Sequence, residues 1–233
     1  MISDYWRETL YFLGFISSLA FGSRFLLQWL TSELKKRSVV LPAFWVLSLI
    51  GNIFLFVHSF IQLQFHVFLV QACNGVISWR NLNLMQPPQR HFSLRATLGI
   101  LIAVISLASL LFFFQSFFVP EGTEVLFRIP ITPWHRHSEE IPAYWHMLGF
   151  TGLLLFNSRF WVQWWSSEKR DSSYLGASFW WLSLIGDTFC LIYFIRLGDV
   201  VNLAGPLFGL IPYIRNLMLI KKNAPSMHPK RSS

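Results

Sequence analysis

A chain of 233 residues that is 54% hydrophobic, 18% aromatic and only 13% charged carries about half the charge of an ordinary soluble domain. Its 24 Phe and 11 Trp exceed what one core of this size can enclose, so part of them must face lipid. The formal charge of +8 lies between apolar blocks rather than on one basic face, which argues against nucleic-acid binding, and Cys73 and Cys190 sit inside apolar runs with neither disulfide-framework nor metal-ligand spacing.

Seven apolar blocks of about 20 residues, the length of a membrane-crossing helix, follow one another. They cover 9–32, 42–63, 65–85, 97–118, 144–167, 174–196 and 199–220. Charge, Pro and Gly collect between them, at 33–37, 86–95, 120–140 and 168–173. The first block is too long for a signal-peptide core and has no basic cluster before it, so it is expected to stay in the protein. Thirteen Lys and Arg fall in the segments that share a side with Lys35, Lys36 and Arg37, and four (Arg7, Arg128, Arg136, Arg196) fall on the other. That bias predicts an outside N-terminus and a cytoplasmic C-terminus, as an odd number of spans requires.

The chain repeats itself at a constant offset of 135 residues. Ser-Arg-Phe-x-x-Gln-Trp-x-x-Ser-Glu occurs at 23–33 and 158–168, Phe-Trp-x-Leu-Ser-Leu-Ile-Gly at 44–51 and 179–186, and Arg-Asn-Leu at 80–82 and 215–217. Each repeat holds three blocks, and the block at 97–118 joins them. A single linking span makes the second triple enter the membrane in the same direction as the first. The predicted architecture is all-α: a first three-helix repeat (1–96), a linker helix (97–118), an outer loop (119–143), a second three-helix repeat (144–222) and a tail (223–233). Paired parallel triples are a transporter layout with the site between the repeats.

The two copies of the Ser-Arg-Phe motif, each followed by the Phe-Trp motif, resemble the lipid A biosynthesis N-terminal domain. That small membrane domain occurs alone, and also ahead of the catalytic region of some lipid-A-disaccharide synthases. The resemblance covers roughly 10–85 and 145–220. The three-plus-one-plus-three layout is also similar to the SWEET and PQ-loop transporters, although Gln86-Pro87 reverses their dipeptide and lies in a loop. The resemblance implies a place in lipid A or other glycolipid metabolism at the inner membrane. It does not imply catalysis by these residues, because the synthase reaction needs a nucleotide-sugar domain that this stretch cannot hold.

Arg24 and Arg159 fall near mid-span, where an arginine costs at least about 2.5–3.5 kcal/mol and marks a functional site by default. Gln28 and Ser32 follow Arg24 at successive turns, as Gln163 and Ser167 follow Arg159, giving one polar stripe per helix. With Ser17 or Ser18 above it, the first stripe is expected to face the bundle interior. Two roles fit the arginines: stapling of helices through carbonyls and Gln side chains, or contact with a ligand. Two arginines against one visible intramembrane acid, Asp187, favour the second.

Asp187 corresponds to Asn52 and is expected to pair with Arg159, with proton coupling as the alternative. On the third helix Gln71, Asn74, Ser78 and Asn81 share a face, opposite numbers of Pro206, Gly209, Tyr213 and Asn216. Pro206 and Pro212 either open a carbonyl-lined cavity or only kink the helix. Trp29 and Trp164 are expected as headgroup anchors, with sugar stacking as the alternative, and Glu33 and Glu168 as partners of nearby basic loops. The His135-Arg136-His137 stretch lacks a third ligand, and no paired carboxylates, nucleophile triad, phosphate loop or metal spacing occur, so no cofactor is expected.

The expected site is therefore Arg24, Gln28, Arg159, Gln163, Asn52, Asn74, Asn81, Asp187 and Asn216. Its expected ligand is a phosphorylated glycolipid, a lipid A precursor or a polyprenyl phosphate, moved by alternating access of the triples. Two rival readings remain: an accessory subunit that tethers a glycosyltransferase, or the membrane part of the synthase itself.

Overall fold

The computed structural model describes residues 7, 9–119, 142–197 and 200–223, with the backbone alone at 143, 146, 197, 200–206 and 208. The His135-Arg136-His137 stretch, most of the 119–143 segment, the tail from 224 and the Pro206 side chain fall outside it. The described residues form seven α-helices and no strand. In chain order they are α1 (Leu13–Lys35), α2 (Pro42–Ile61), α3 (Phe65–Asn83), α4 (Leu94–Ser116), α5 (Ala143–Glu168), α6 (Ala177–Leu197) and α7 (Val200–Lys222).

Local chemistry sets the boundaries. α1 outruns its apolar block and ends at Lys36, whose left-handed φ of 53° lets its N–H cap the Ser32 and Glu33 carbonyls. Pro42, with φ fixed and no N–H to waste, opens α2. The Ser93 hydroxyl accepts from the Ala96 N–H at 3.2 Å and opens α4. α7 runs through Pro206 and Pro212 without interruption, so neither proline divides it.

Among the described residues four stretches are long and apolar enough to cross a membrane: Leu10–Lys35 (α1 with its leading 3-10 turn), Pro42–Ile61 (α2), Leu94–Ser116 (α4) and Ala177–Arg196 (within α6). The protein is accordingly membrane-associated. α3, α5 and α7 do not belong to that set. Of the predicted polar residues, Gln71, Asn74, Ser78 and Asn81 lie on α3, Arg159 and Gln163 on α5, and Arg215 and Asn216 on α7.

α2 packs between α1 and α3, and α6 between α5 and α7. The triples meet reciprocally: α1 lies against α7, and α3 against α5. Six helices thus close a ring, and α4 rests on α3 outside it. Phe44, Trp45, Phe179 and Trp180, all fully buried, fill the centre. The Phe44–Trp45 edge contact at 4.9 Å recurs as Phe179–Trp180 at 5.0 Å. The two halves differ in how closely helices approach. A Cβ on Gly186 would come within 2.7 Å of the Phe156 backbone nitrogen, so α5 and α6 touch backbone to backbone, whereas at Gly51 the nearest obstacle is the Phe21 ring.

Candidate functional site

The polar stripe of α1 is buried as its spacing predicts: Ser17, Arg24, Gln28 and Ser32 all face inward with Ala20. On α3, Gln71, Asn74, Ser78 and Asn81 are buried together. Two polar layers result, one below the other.

The lower layer is an amide belt between the repeats. Gln28 Nε2 donates to Asn216 Oδ1 at 2.8 Å, and Asn216 Nδ2 returns a bond to Gln28 Oε1 at 3.1 Å. The repeat mates do the same: Gln163 Nε2 donates to Asn81 Oδ1 at 2.7 Å, and Asn81 Nδ2 to Gln163 Oε1 at 3.1 Å. Asn216 and Asn81 also donate to the carbonyls one turn back, of Pro212 and Ile77. The Ser38 and Ser173 hydroxyls close each group onto the Asn216 and Asn81 oxygens at 2.8 Å. These four amides are satisfied by one another and by the turns beside them. They join the repeats.

Just beneath the belt, Glu168 receives Arg80 Nε at 2.6 Å and Nη2 at 2.8 Å, and Glu33 receives Arg215 Nε and Nη2. The acids at the ends of α1 and α5 therefore pair across the repeats, with α7 and α3, rather than with the adjacent basic loops. Burial pushes the Glu168 carboxyl up, but hydrogen bonds from Arg80 and Trp164 outweigh it and hold the group below the usual carboxylate range. Trp164 is buried, its indole N–H donating to Glu168 at 2.7 Å, so it braces an ion pair instead of anchoring at a headgroup. Trp45 is likewise interior and bonds Ser173 across the repeats at 2.7 Å.

The upper layer holds the arginines. Arg24 is 4% exposed and Arg159 1%. Arg24 Nη1 donates to the Ser48 hydroxyl at 2.8 Å, and Arg159 Nη1 to Ser183 at 3.0 Å and the Tyr213 hydroxyl at 3.3 Å. Each serine hydroxyl donates in turn to the carbonyl one turn back, of Phe44 or Phe179. Nε of both arginines has no hydrogen-bond partner. Aromatic faces surround them instead. Arg24 lies 4.8 Å from the Phe25 ring and 5.3 Å from Phe160; Arg159 lies 4.8 Å from Phe160 and 5.4 Å from Phe25. The two guanidiniums thus share two rings, with Phe156 a further 3.5 Å from Arg159. Cation–π contact contributes about 2 kcal/mol or more where water is excluded.

The expected Asp187–Arg159 ion pair is absent: no carboxylate oxygen comes within 4.0 Å of either arginine among the described residues. Asp187 Oδ2 is buried without a partner. The phenol of Tyr213 takes the arginine's bond instead. Space for this comes from Gly209, where a Cβ would lie 2.7 Å from Asp187 Oδ2 and 2.8 Å from the Tyr213 hydroxyl. In the first repeat Asn52 donates to Ser78 at 3.1 Å, and Ser78 to the Asn74 carbonyl at 2.8 Å.

Ser48, Ser183 and Tyr213 hold the arginines, yet they were not among the predicted site residues. The serines had a signal: each follows its arginine by 24 residues, inside the repeated Leu-Ser-Leu-Ile-Gly run. Tyr213 had none, because its repeat mate is Ser78. No group of three or more metal-ligating side chains occurs among the described residues.

Comparison with known proteins finds the lipid A biosynthesis N-terminal domain twice, at residues 13–83 and 148–218. The lipid-A-disaccharide synthase of Chlamydia felis is 40% identical over 227 residues, covering 95% of this chain and 35% of that protein. Those of Chlamydia caviae and Chlamydia pneumoniae are 38% and 36% identical, covering 98% and 93% of this chain and 36% and 34% of theirs. The chain spans about a third of the length of these relatives. No solved structure matches it significantly.

Proposed function

The chain belongs to the lipid A biosynthesis N-terminal domain family, carrying the domain twice, and on that footing we propose that it binds and translocates an anionic lipid-linked sugar in the inner membrane. Its place in lipid A biosynthesis follows from that membership and from the synthases it resembles. The ligand is a lipid A precursor or a polyprenyl phosphate, whose phosphate engages Arg24 and Arg159. The protein crosses the membrane seven times, N-terminus periplasmic and C-terminus cytoplasmic, as two parallel repeats (1–96 and 144–222) joined by the helix at 97–118. The triples rock about the amide belt to present the arginine pair to each side in turn.

One observation carries this reading: two guanidiniums are buried side by side with Nε unpaired and, among the described residues, no carboxylate within 4.0 Å. Such a centre is electrostatically incomplete, and a phosphate completes it through the bidentate geometry that guanidinium favours. Asn52 and Asp187 flank the pair. Gln28, Gln163, Asn81 and Asn216 position it through the belt. Asn74 lies on the same buried face of α3 as Ser78.

Binding of a phosphorylated lipid to the purified protein tests this. Arg24→Lys keeps the charge but loses the fork and should weaken binding while the fold survives; Arg24→Gln should lose most of it. Normal binding by folded Arg24→Gln protein would make the arginine a staple and remove the site. Cysteine labelling should find 35–37 and 169–170 cytoplasmic; opposite sides for those loops defeat the parallel topology.

A second reading has its own support, since the relatives named as synthases match this chain over only a third of their length. On that reading the chain is a membrane tether that presents lipid to a glycosyltransferase. Co-purification of a synthase activity would favour it.

A further inference from the structure

Glu168, Lys169, Arg170 and Asp171 follow one another between α5 and α6, and such a run could neutralise itself. Packing prevents that. Glu168 is taken by Arg80, and Asp171 by His91, whose Nδ1 lies 3.1 Å from the Asp171 carboxylate. Both acids thus turn toward α3 and the segment that follows it. Among the described residues no carboxylate lies within 4.0 Å of Lys169 or Arg170.

These two cations border a hollow of about 490 Å³, lined also by Ser166, Tyr174, Gly176 and Ser178. Lys169, Arg170 and Ser178 are exposed, so a group entering the hollow meets their donors directly. Aromatic rings aim the cations: Lys169 Nζ lies 5.0 Å from the Trp165 ring, and the Arg170 guanidinium 4.2 Å from Tyr174. Stacking uses the face of the guanidinium and leaves its N–H edge for a ligand. Gly176 admits the Tyr174 ring, since a Cβ there would come within 2.7 Å of Tyr174 Cε1. The stretch of α6 that is long and apolar enough to cross a membrane starts at Ala177, which puts the hollow at the lipid–water boundary.

The first repeat lacks these groups. In the places of Lys169, Tyr174, Gly176 and Ser178 it has Leu34, Val39, Leu41 and Ala43. The loop backbone is nonetheless kept: Lys36 and Asp171, at equivalent positions, both take a left-handed φ, of 53° and 48°. One backbone therefore carries an apolar surface in the first repeat and an uncompensated cationic one in the second, a difference that the shared fold does not require.

We infer that this hollow binds a phosphate group at the membrane border, with Lys169 as a point charge, Arg170 as a fork of donors and the Ser178 hydroxyl as a third donor. The phosphate belongs to a lipid headgroup or to a soluble molecule, which present the same oxygens. The inference rests on the membrane-embedded reading but not on the arginine pair, because Arg159 lies about 15 Å back along α5 at 1.5 Å per residue.

Lysine footprinting tests this on the full chain in nanodiscs. An amine-acylating reagent is applied in three settings: phosphatidylcholine alone, phosphatidylcholine with phosphatidic acid, and phosphatidylcholine with soluble pyrophosphate. Acylation of Lys169 should be largely lost in at least one phosphate setting, while Lys35 and Lys36 of the first repeat change much less. Protection by phosphatidic acid alone identifies a lipid headgroup; protection by pyrophosphate identifies a soluble carrier. Arg170→Gln should weaken the protection about fivefold, the upper worth of one exposed ion pair. Tyr174→Val, which imports the first repeat's residue, should weaken it by removing the ring beneath Arg170. Full acylation of Lys169 in both phosphate settings overturns the inference, whether or not either variant folds. So does equal protection of Lys35, Lys36 and Lys169, the mark of bulk charge attraction, or undiminished protection in folded Arg170→Gln. Lys169 reports on this hollow alone, so failure here leaves the arginine reading untouched, and the reverse holds.

Discussion

Glu33 and Glu168 occupy the same position of the same motif, yet their removal should differ sharply. Glu168 and Arg80 are 10% and 3% exposed at the side chain, while Glu33 and Arg215 are 24% and 36% exposed. Arg80 has spent its Nη1 on Asn83 and the Phe92 carbonyl, so it cannot swing out to water when its partner is neutralised. Glu168→Gln keeps the shape and an oxygen for Trp164 but strands a buried guanidinium. Breaking such a pair costs about 3–5 kcal/mol, and the helix-end location argues for about 3. Glu33→Gln leaves an arginine that water already reaches, so its loss should be far smaller than that of Glu168→Gln. Reversible unfolding of each variant in mixed micelles measures it. Adding Arg80→Met to Glu168→Gln should recover most of the loss, because an absent pair costs less than half a pair. Losses for Glu33→Gln and Glu168→Gln that agree within about 0.5 kcal/mol would refute the assignment of the energetics to burial.

The same carboxylate sets a pH dependence: its folded pKa is depressed, so its stabilisation is full above the unfolded carboxylate range and is lost as pH falls through the folded value, which an acid titration of Tm reads. Native protein should therefore lose stability in acid more steeply than Glu168→Gln. Gly186→Ala must push α6 off the α5 backbone and should cost about 1–3 kcal/mol, whereas at Gly51 the Phe21 ring can turn aside and Gly51→Ala should cost less. In the amide belt, Asn81→Leu should cost about 1–3 kcal/mol by stranding Gln163, and Asn81→Leu with Gln163→Leu should cost less than the sum of the singles in a double-mutant cycle.

The sequence alone determined the all-helical class, the order of the helices and the two-fold repeat, because apolar block length and internal self-similarity are local properties of a chain in lipid. It also determined which face of α1 and α3 turns inward: Arg24, Gln28 and Ser32 fall one turn apart, and helix geometry leaves them no other arrangement. The partners were a different matter. Gln28, Asn81, Gln163 and Asn216 read as ligand contacts, and only the packing of α1 against α7 and α3 against α5 shows that they bond one another. Asp187 looked like the counter-charge of Arg159 because opposite charges in apolar surroundings should pair. Instead Gly209 admits the Tyr213 phenol to the arginine and leaves Asp187 Oδ2 unpaired, a steric choice made by a residue 22 positions away. Trp164 has the sequence environment of a headgroup anchor, but Glu168 one turn on accepts its indole N–H and the packing of neighbouring helices buries it. α4 follows α3 after a short connection and also reaches α2, where Gln115 Nε2 donates to the Phe60 carbonyl, so it packs on the first repeat. Spacing along one helix fixes a face; which charge, amide or ring meets that face depends on helices tens to hundreds of residues distant, and only packing decides it.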